Sequence, residues 1–486
     1  MSNVVSKIRE EHMSRLPTVR IQQAVLQNVK SVEYGEILFN CGKQAVPCGT
    51  RSDILGLYGQ NGSGKTAFIE ALAILKRLMA GSSVPGEYAE SITKDKTQAK
   101  LKFTFDLQYP NGDKRTVNYE VNLAAVENDA YHIDEVDAES FEGIYPYQVK
   151  IFDEIISIGG DIDGKKTKMQ PVIDSTTIDT SFGPLSKRDN FIGKKLDVLN
   201  KLDVSKKLAS ERSQSFIFSN DLMNIFQENS DYYVYYQVLL ELRHFARYFL
   251  FVLDMRTTGF NSIGYGLLIH TRSGQKLFKF RGLNIISEEK WDEQSNIIDS
   301  ISIVLGQLVP GLSIMMKKIG PAISKSGKPA HSAELVAKRG DMELPIRYES
   351  DGIRRIISTL NLIISAYNKK SMTIAIDEFD AGVFEYLLGE ILQSFEESGK
   401  GQFIFTSHNL RPLEVLSKEF LCFTTTNPKN RYARLKFIGK TNNLRSVYYR
   451  EIILGEQQEE FYSRTKRFKI IAAFRKAGAE YAGGEA

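Results

Sequence analysis

Residues 59–66, Gly59-Gln60-Asn61-Gly62-Ser63-Gly64-Lys65-Thr66, decide how the rest of this chain is read. They match G-x-x-x-x-G-K-[ST] at every constrained position. Glycines at these places let the backbone curl until successive N–H groups point inward at phosphate oxygens. Lys65 is placed to reach β- and γ-phosphates, and the Thr66 hydroxyl is suited to ligate Mg²⁺. A chance glycine-rich turn would lack the right flanks, and both are present. Asp53-Ile54-Leu55-Gly56-Leu57-Tyr58 reads as a short strand running into the loop. Beyond it, Phe68, Ile69, Ala71, Leu72, Ile74, Leu75 and Leu78 recur at helical spacing. That helix adds its positive N-terminal end to the anion site.

Upstream, residues 19–32 alternate apolar and polar positions as a half-buried strand does. Residues 99–123 alternate on both sides of Pro110-Asn111-Gly112-Asp113, which predicts a β-hairpin. From about 159 to 212 the chain is rich in Lys, Asp, Ser and Thr with little periodicity. Residues 232–253 are densely apolar at helical spacing, and a further helix is expected over 288–308. This middle part reads as a mostly helical insertion without sustained heptads. Strands return from Ala333, with a turn at Gly340-Asp341. A helix (352–367), a buried strand (372–376), a helix (383–395) and a strand (402–406) follow. Strands alternating with helices predict an α/β fold whose sheet is largely parallel and covered on both faces.

Three more constellations carry chemistry. Thr373-Ile374-Ala375-Ile376-Asp377-Glu378 is an apolar strand ending in two carboxylates, at the sheet edge where such folds bind ligands. Asp377 suits Mg²⁺ held through water, and Glu378 suits polarisation of an attacking water. Ser350-Asp351-Gly352 opens a helix and offers a hydroxyl and free N–H groups to an anion. Arg354 and Arg355 follow, open between solvated helix-face charges and contacts across a subunit interface. His408, in Phe405-Thr406-Ser407-His408-Asn409, is expected level with the two acids on a neighbouring strand end.

Composition bounds the class. Of 486 residues, 42% are hydrophobic and 25% charged, near the globular average, so neither disorder nor a fibre is expected. The net charge of +4 does not by itself imply nucleic acid. Cys41, Cys48 and Cys422 make no disulfide scaffold, and Cys41 with Cys48 lacks the further ligands of a zinc site. No apolar run approaches the ~18–20 residues that span a bilayer, and the charged start is unlike a signal peptide. A cytoplasmic location is expected.

These pieces, in this order and spacing, resemble the ABC-type ATPase heads of the SMC/Rad50/OLD group. More narrowly they resemble the AAA15 or OLD-like ATPases of prokaryotic antiphage defence loci, such as the ATPase subunits of PARIS, Septu and retron-type systems. YESDGIRRIISTLNLII is similar to that group's signature segment, with Ser350 and Gly352 at its serine and second glycine and Asp351 in place of its first glycine. IDEFDAGVFEYLLGEIL is similar to its Walker B strand and D-loop, with Asp380 in the latter, and FTSHNL to its switch-histidine loop. Gln148, in YPYQVKIFDE, is the candidate for a Q-loop glutamine.

The resemblance implies an ABC-type P-loop head with a mixed β-sheet. It predicts an N-terminal ATPase lobe with its hairpin (1–158), a mostly helical insertion (159–325), a C-terminal lobe (326–455) and a final helix and tail (456–486). ATP and Mg²⁺ are the implied cofactors: ATP on residues 59–66, Mg²⁺ on Thr66 and Asp377, with Glu378 and His408 catalytic. Ser350 and Gly352 would act in trans, so a homo-oligomer, dimer or larger ring, is implied. The implied function is a switch that senses infection through a nucleic-acid or phage-protein trigger and controls a separate effector, a TOPRIM or HNH nuclease. The rivals are a Rad50- or RecF-like repair clamp and an OLD-type nuclease. Only about eighty residues follow His408, which leaves little room for the nuclease.

Overall fold

The computed structural model describes residues 16–39, 52–128, 145–162, 164–177, 181–192, 196–228, 233–254, 266–271, 274–324, 326–435, 443–454, 459–463 and 465–482. Cys41 and Cys48 lie outside these residues.

The first described elements are an antiparallel pair, β1 (Thr18–Val29) and β2 (Val32–Leu38). The buried strand β3 (Asp53–Tyr58) then runs into the glycine loop and helix α1 (Lys65–Ala80). Strands β4 (Ala99–Gln108) and β5 (Lys114–Glu127) form the expected hairpin. Gly112 adopts φ 95° in its turn, where the left-handed conformation favours glycine. β6 (Tyr147–Ile162) and β7 (Lys165–Asp174) extend this sheet, whose order is β2-β1-β4-β5-β6-β7.

Four helices follow: α2 (Leu185–Ile192), α3 (Leu196–Glu211), α4 (Asn220–Gln227) and α5 (Tyr233–Tyr248). The dense apolar run then splits, because Leu250–Leu253 is not helix but strand β8, paired in parallel with residues 373–376. A four-residue apolar run has no periodicity of its own, so only its partner reveals it as a strand. After the hairpin β9 (Gly266–Thr271) and β10 (Gly274–Lys279), a second antiparallel sheet forms. Its strands are β11 (Asn284–Ser287), β12 (Leu312–Ile323), β13 (Pro329–Arg339) and β14 (Met342–Pro345), with helix α6 (Glu288–Leu308) packed beside it. The remaining elements are α7 (Asp351–Asn368), β15 (Thr373–Ile376), α8 (Glu385–Ser398), β16 (Gln402–Thr406), α9 (Pro412–Val415), β17 (Leu421–Thr424), β18 (Tyr432–Ala433), α10 (Leu444–Leu454) and α11 (Arg467–Ala482).

The expected boundary at 158 falls inside β6, and that at 325 separates β12 from its partner β13. The stretch 159–325 therefore carries strands of four sheets as well as α6 and the helices between 185 and 248.

The central sheet has the order β18-β17-β3-β16-β15-β8, parallel except for the edge strand β18. DILGLY, TIAI, QFIFT and LCFT are buried along their whole length, as a parallel sheet covered on both faces demands. Alternate residues serve two cores. Leu55, Leu57, Ala375 and Ile404 join α1 and the N-terminal sheet, whereas Ile54, Tyr58, Ile374, Ile376 and Phe405 join α6, α7 and α8. Buried Gln402 fastens the sheets together. Its amide donates to the Ile21 carbonyl (2.8 Å) and the Asp53 carboxylate (2.7 Å), and its Oε1 accepts from Ile21 N–H (3.3 Å). The architecture is the α/β P-loop fold with mixed sheets that the sequence predicted.

Candidate functional site

The loop after β3 is held from below. A Cβ on Gly59 would lie 1.7 Å from Thr424 Oγ1, and the residue adopts φ 151°, so only glycine fits there. Ser63 Oγ donates to the Gln60 carbonyl (2.5 Å) and meets Thr424 Oγ1, while Tyr432 Oη donates to the Gly64 carbonyl (2.8 Å). Thr424 and Tyr432 lie on the neighbouring strands β17 and β18. Asn61 and Gly62 form the exposed crest, and Lys65 lies buried at its foot. Lys65 Nζ donates to the carbonyls of Gly59 (2.7 Å) and Gln60 (3.1 Å). Burial pulls its pKa down, while Asp377, Glu378 and Asp380 push it back up, which places three carboxylates within electrostatic reach.

The register explains that proximity. Ile376 pairs with Phe405 and Thr406 with Leu57, so β15 and β16 end level beside the loop. Asp377 leaves the sheet almost fully buried, and burial raises its pKa against the opposing pull of the Thr406 and Thr66 hydroxyls. Its Oδ1 accepts from Thr406 Oγ1 (2.5 Å), whereas buried Oδ2 makes no hydrogen bond of normal geometry. Glu378 follows in the left-handed region (φ 47°), a conformation that costs a non-glycine residue roughly 1–2 kcal/mol. Three bonds hold it there: its N–H donates to Thr406 Oγ1 (2.8 Å), and its carbonyl accepts from Ala381 N–H (3.0 Å) and Arg355 Nη2 (2.6 Å).

Asp380 works on the next strand end. Its Oδ2 accepts from the backbone N–H groups of His408 (3.0 Å) and Asn409 (2.9 Å), which fixes the histidine loop. His408 itself is exposed at the mouth of the site. Desolvation and Lys65 lower its pKa, and the three nearby carboxylates oppose them.

Ser350 and Gly352 are not gathered into this pocket. Ser350 caps α7, accepting from Ile353 N–H (3.4 Å). Gly352 packs so tightly on the turn after Asp380 that a Cβ would lie 2.0 Å from the Gly382 carbonyl oxygen. Both residues line a separate groove between α7 and α8. Gln148 sits on β6, paired with Val126, in the N-terminal sheet. Arg355 is not a solvated charge on the helix face. It turns inward, and Nη2 donates to the carbonyls of Asp377 (3.1 Å) and Glu378 (2.6 Å). Arg354 pairs with Asp351 one turn earlier.

Thr406, Thr424, Tyr432 and Arg355 were missed as site residues by sequence reasoning. Thr406 had a usable signal, a hydroxyl ending a strand one place before the histidine loop. Thr424 and Tyr432 depend on which strand lies beside which, and Arg355 on how α7 packs against β15.

The residues fit a nucleoside triphosphate with a divalent cation. Gly59, Gly62 and Gly64 all adopt positive φ, which lets the loop turn backbone N–H groups toward an anion; Lys65 and the start of α1 offer positive charge, and buried Asp377 Oδ2, without a hydrogen bond of normal geometry, lies near Thr66.

No helix among the described residues is long and apolar enough to cross a membrane. None of the curated proteins matches the chain in sequence. Among solved structures it is similar to the SMC head domain from Thermotoga maritima, at 13% identity and a TM-score of 0.34 over 86% of this chain and 100% of that one. A Pyrococcus furiosus Smc head domain with an extended coiled coil, bound to the C-terminal domain of ScpA, gives 13% and 0.36 over 86% and 96%. The recombination mediator protein RecF gives 12% and 0.37 over 87% and 100%. A family model covers residues 54–414, about three quarters of the sequence, and the chain accordingly belongs to the family described as "AAA domain, putative AbiEii toxin, Type IV TA system".

Proposed function

We propose that the chain is an ATP-binding and ATP-hydrolysing switch of an antiphage defence system, which senses infection and controls a separate toxic effector, a nuclease of the TOPRIM or HNH type. The observation that carries this reading is the coupling between α7 and the acids. Arg355 ties the helix to the carbonyls of Asp377 and Glu378, Gly352 rests on Gly382, and Asp380 holds the backbone of His408. A displacement of α7 therefore reaches Glu378 and His408 together, as a switch requires. The family description, which names a toxin of a toxin–antitoxin system, supports the defence setting.

In this reading the loop N–H groups and Lys65 bind the β- and γ-phosphates, and Thr66 with Asp377 holds Mg²⁺. The cation supplies charge neutralisation on the phosphate oxygens. Glu378 orients water and accepts its proton, and His408 lies at the same mouth of the site. Ser350 and Gly352 of a second copy complete the site, so the working form is a homo-oligomer.

The purified chain, given ATP, Mg²⁺ or Mn²⁺ and DNA, RNA or tRNA, is expected to turn over ATP and cleave none of them. Lys65→Ala is expected to abolish ATP binding. Cleavage that vanishes in Lys65→Ala and survives repurification would overturn the gatekeeper reading in favour of an intrinsic nuclease. ATP-dependent retention on circular DNA, lost on linearisation, would favour a repair clamp.

A further inference from the structure

Two features of this chain lie away from its own glycine loop and acids and match each other. The first is the groove between α7 and α8, with a volume of about 1060 Å³. Leu308, Ile353, Leu360, Ile364, Leu387 and Ile391 form its apolar walls, and Phe384 stands 71% exposed on its edge. It runs the whole of α7, from Ser350 to Asn368, or about 27 Å for eighteen helical residues. The second feature is α11. Every residue from Thr465 to Ala477 is exposed, including Phe468 (66%), Ile470, Ile471 and Phe474 (75%). A sixteen-residue helix that buries none of its large apolar side chains through Ala477 is marginal in water and calls for a surface to bury them. Its length is about 24 Å.

Charge agrees with shape. α8 carries Glu385, Glu390, Glu396 and Glu397 and no lysine or arginine, and Glu390 lines the groove. Through Ala477, α11 carries Arg467, Lys469, Arg475 and Lys476 and no acid.

We propose that α11 of one copy docks in the α7–α8 groove of a second copy. The inference rests on the shared ATP site proposed above. Ser463 N–H donates to Gln60 Oε1 (3.0 Å), which anchors the chain on the glycine loop four residues before α11 begins. A span of four residues reaches at most about 14 Å. If Ser350 and Gly352 of the partner meet that loop, α11 emerges beside the groove that these same two residues open. A two-fold axis makes the exchange reciprocal, so it closes a dimer instead of starting a filament.

The test mixes differently tagged chains in the Glu378→Gln background, one with Phe474→Cys and the other with Glu390→Cys, in the presence of ATP and Mg²⁺. A short bismaleimide is expected to join the two tags, with the parent chain controlling for native cysteines. Phe468→Asp with Phe474→Asp is expected to raise the concentration for half-dimerisation tenfold or more, while the melting curve stays put because both rings are already exposed. A cross-link formed only within a chain bearing both cysteines overturns the proposal in favour of docking in cis. No cross-link, while mixtures of Lys65→Ala and Ser350→Arg chains regain ATPase activity, overturns the docking and leaves the shared site standing. If cross-linking and complementation both fail, the shared site falls as well. Another protein held at Glu390→Cys in place of α11 overturns the assigned occupant.

Discussion

Arg355→Met removes the guanidinium that holds the acid-bearing loop and keeps an aliphatic stem of similar reach. One nitrogen, Nη2, serves two carbonyls, those of Asp377 (3.1 Å) and Glu378 (2.6 Å). Hydrogen bonds from a charged donor contribute roughly 1.5–3 kcal/mol each. With one nitrogen divided between two acceptors and the longer bond weak, about 2 kcal/mol is a fair sum. Against it stands the left-handed backbone of Glu378, which costs roughly 1–2 kcal/mol. The two magnitudes nearly cancel, so without Arg355 the conformation of Glu378 depends on the remaining bonds to Thr406 and Ala381. At 1.36 kcal/mol per decade, 2 kcal/mol corresponds to roughly thirtyfold in rate.

The assay is steady-state ATP turnover alongside equilibrium nucleotide binding, at matched oligomer size. Turnover is expected to fall 10- to 30-fold in Arg355→Met, with ATP affinity within about threefold of the parent, because Lys65 and the loop are untouched. Arg355→Lys, a point donor able to reach one carbonyl at a time, is expected to fall between the two. A turnover number within twofold of the parent would refute the anchoring argument. Equal losses in binding and turnover would mean that the variant has simply disturbed the fold.

Glu378→Gln keeps the side chain's shape and removes its basicity, so hydrolysis is expected to fall by ~10²-fold or more while ATP still binds; full turnover would reassign the base. Mixing Lys65→Ala with Ser350→Arg chains is expected to restore activity at hybrid sites, and its absence in verified mixed oligomers would point to a self-contained site. Glu241, buried on α5 against Tyr109 Oη (2.5 Å), has its pKa pushed up to about 7 from 4.5 by burial, with Tyr109 and Arg115 opposing. A raised carboxylate pKa gives stability that is full below about pH 4.5 and lost as pH rises through 7, on the order of 3 kcal/mol. Glu241→Gln is therefore expected to melt like the parent at pH 5 and above it at pH 8; equal melting temperatures at pH 8 would contradict the assignment.

The parts of this fold that could be read in advance are those in which sequence neighbours decide the outcome. The run from Asp53 to Leu78 needs only its own residues to be strand, loop and helix, and it is all three. The hairpin at Asn111-Gly112 and the helix over 288–308 are local in the same sense. β7 was hidden because KKTKMQPVID lies at a sheet edge with its lysines exposed, so no apolar alternation marks it. β8 was hidden because Leu250–Leu253 continues a helical apolar run without a break in composition.

The site divides along the same line. Lys65, Asp377 and His408 could be placed together because each ends or follows a buried strand, and parallel strands in register end level. Arg354 and Arg355 are adjacent in sequence and about 100° apart on the helix, so composition treats them alike. Only the position of β15 beside α7 decides that one pairs with Asp351 while the other reaches the carbonyls of Asp377 and Glu378. The inward arginine is thus a property of the helix–sheet packing. That is why the coupling between the Ser350 end of α7 and the two acids, on which the switch reading depends, entered the argument only with the structure.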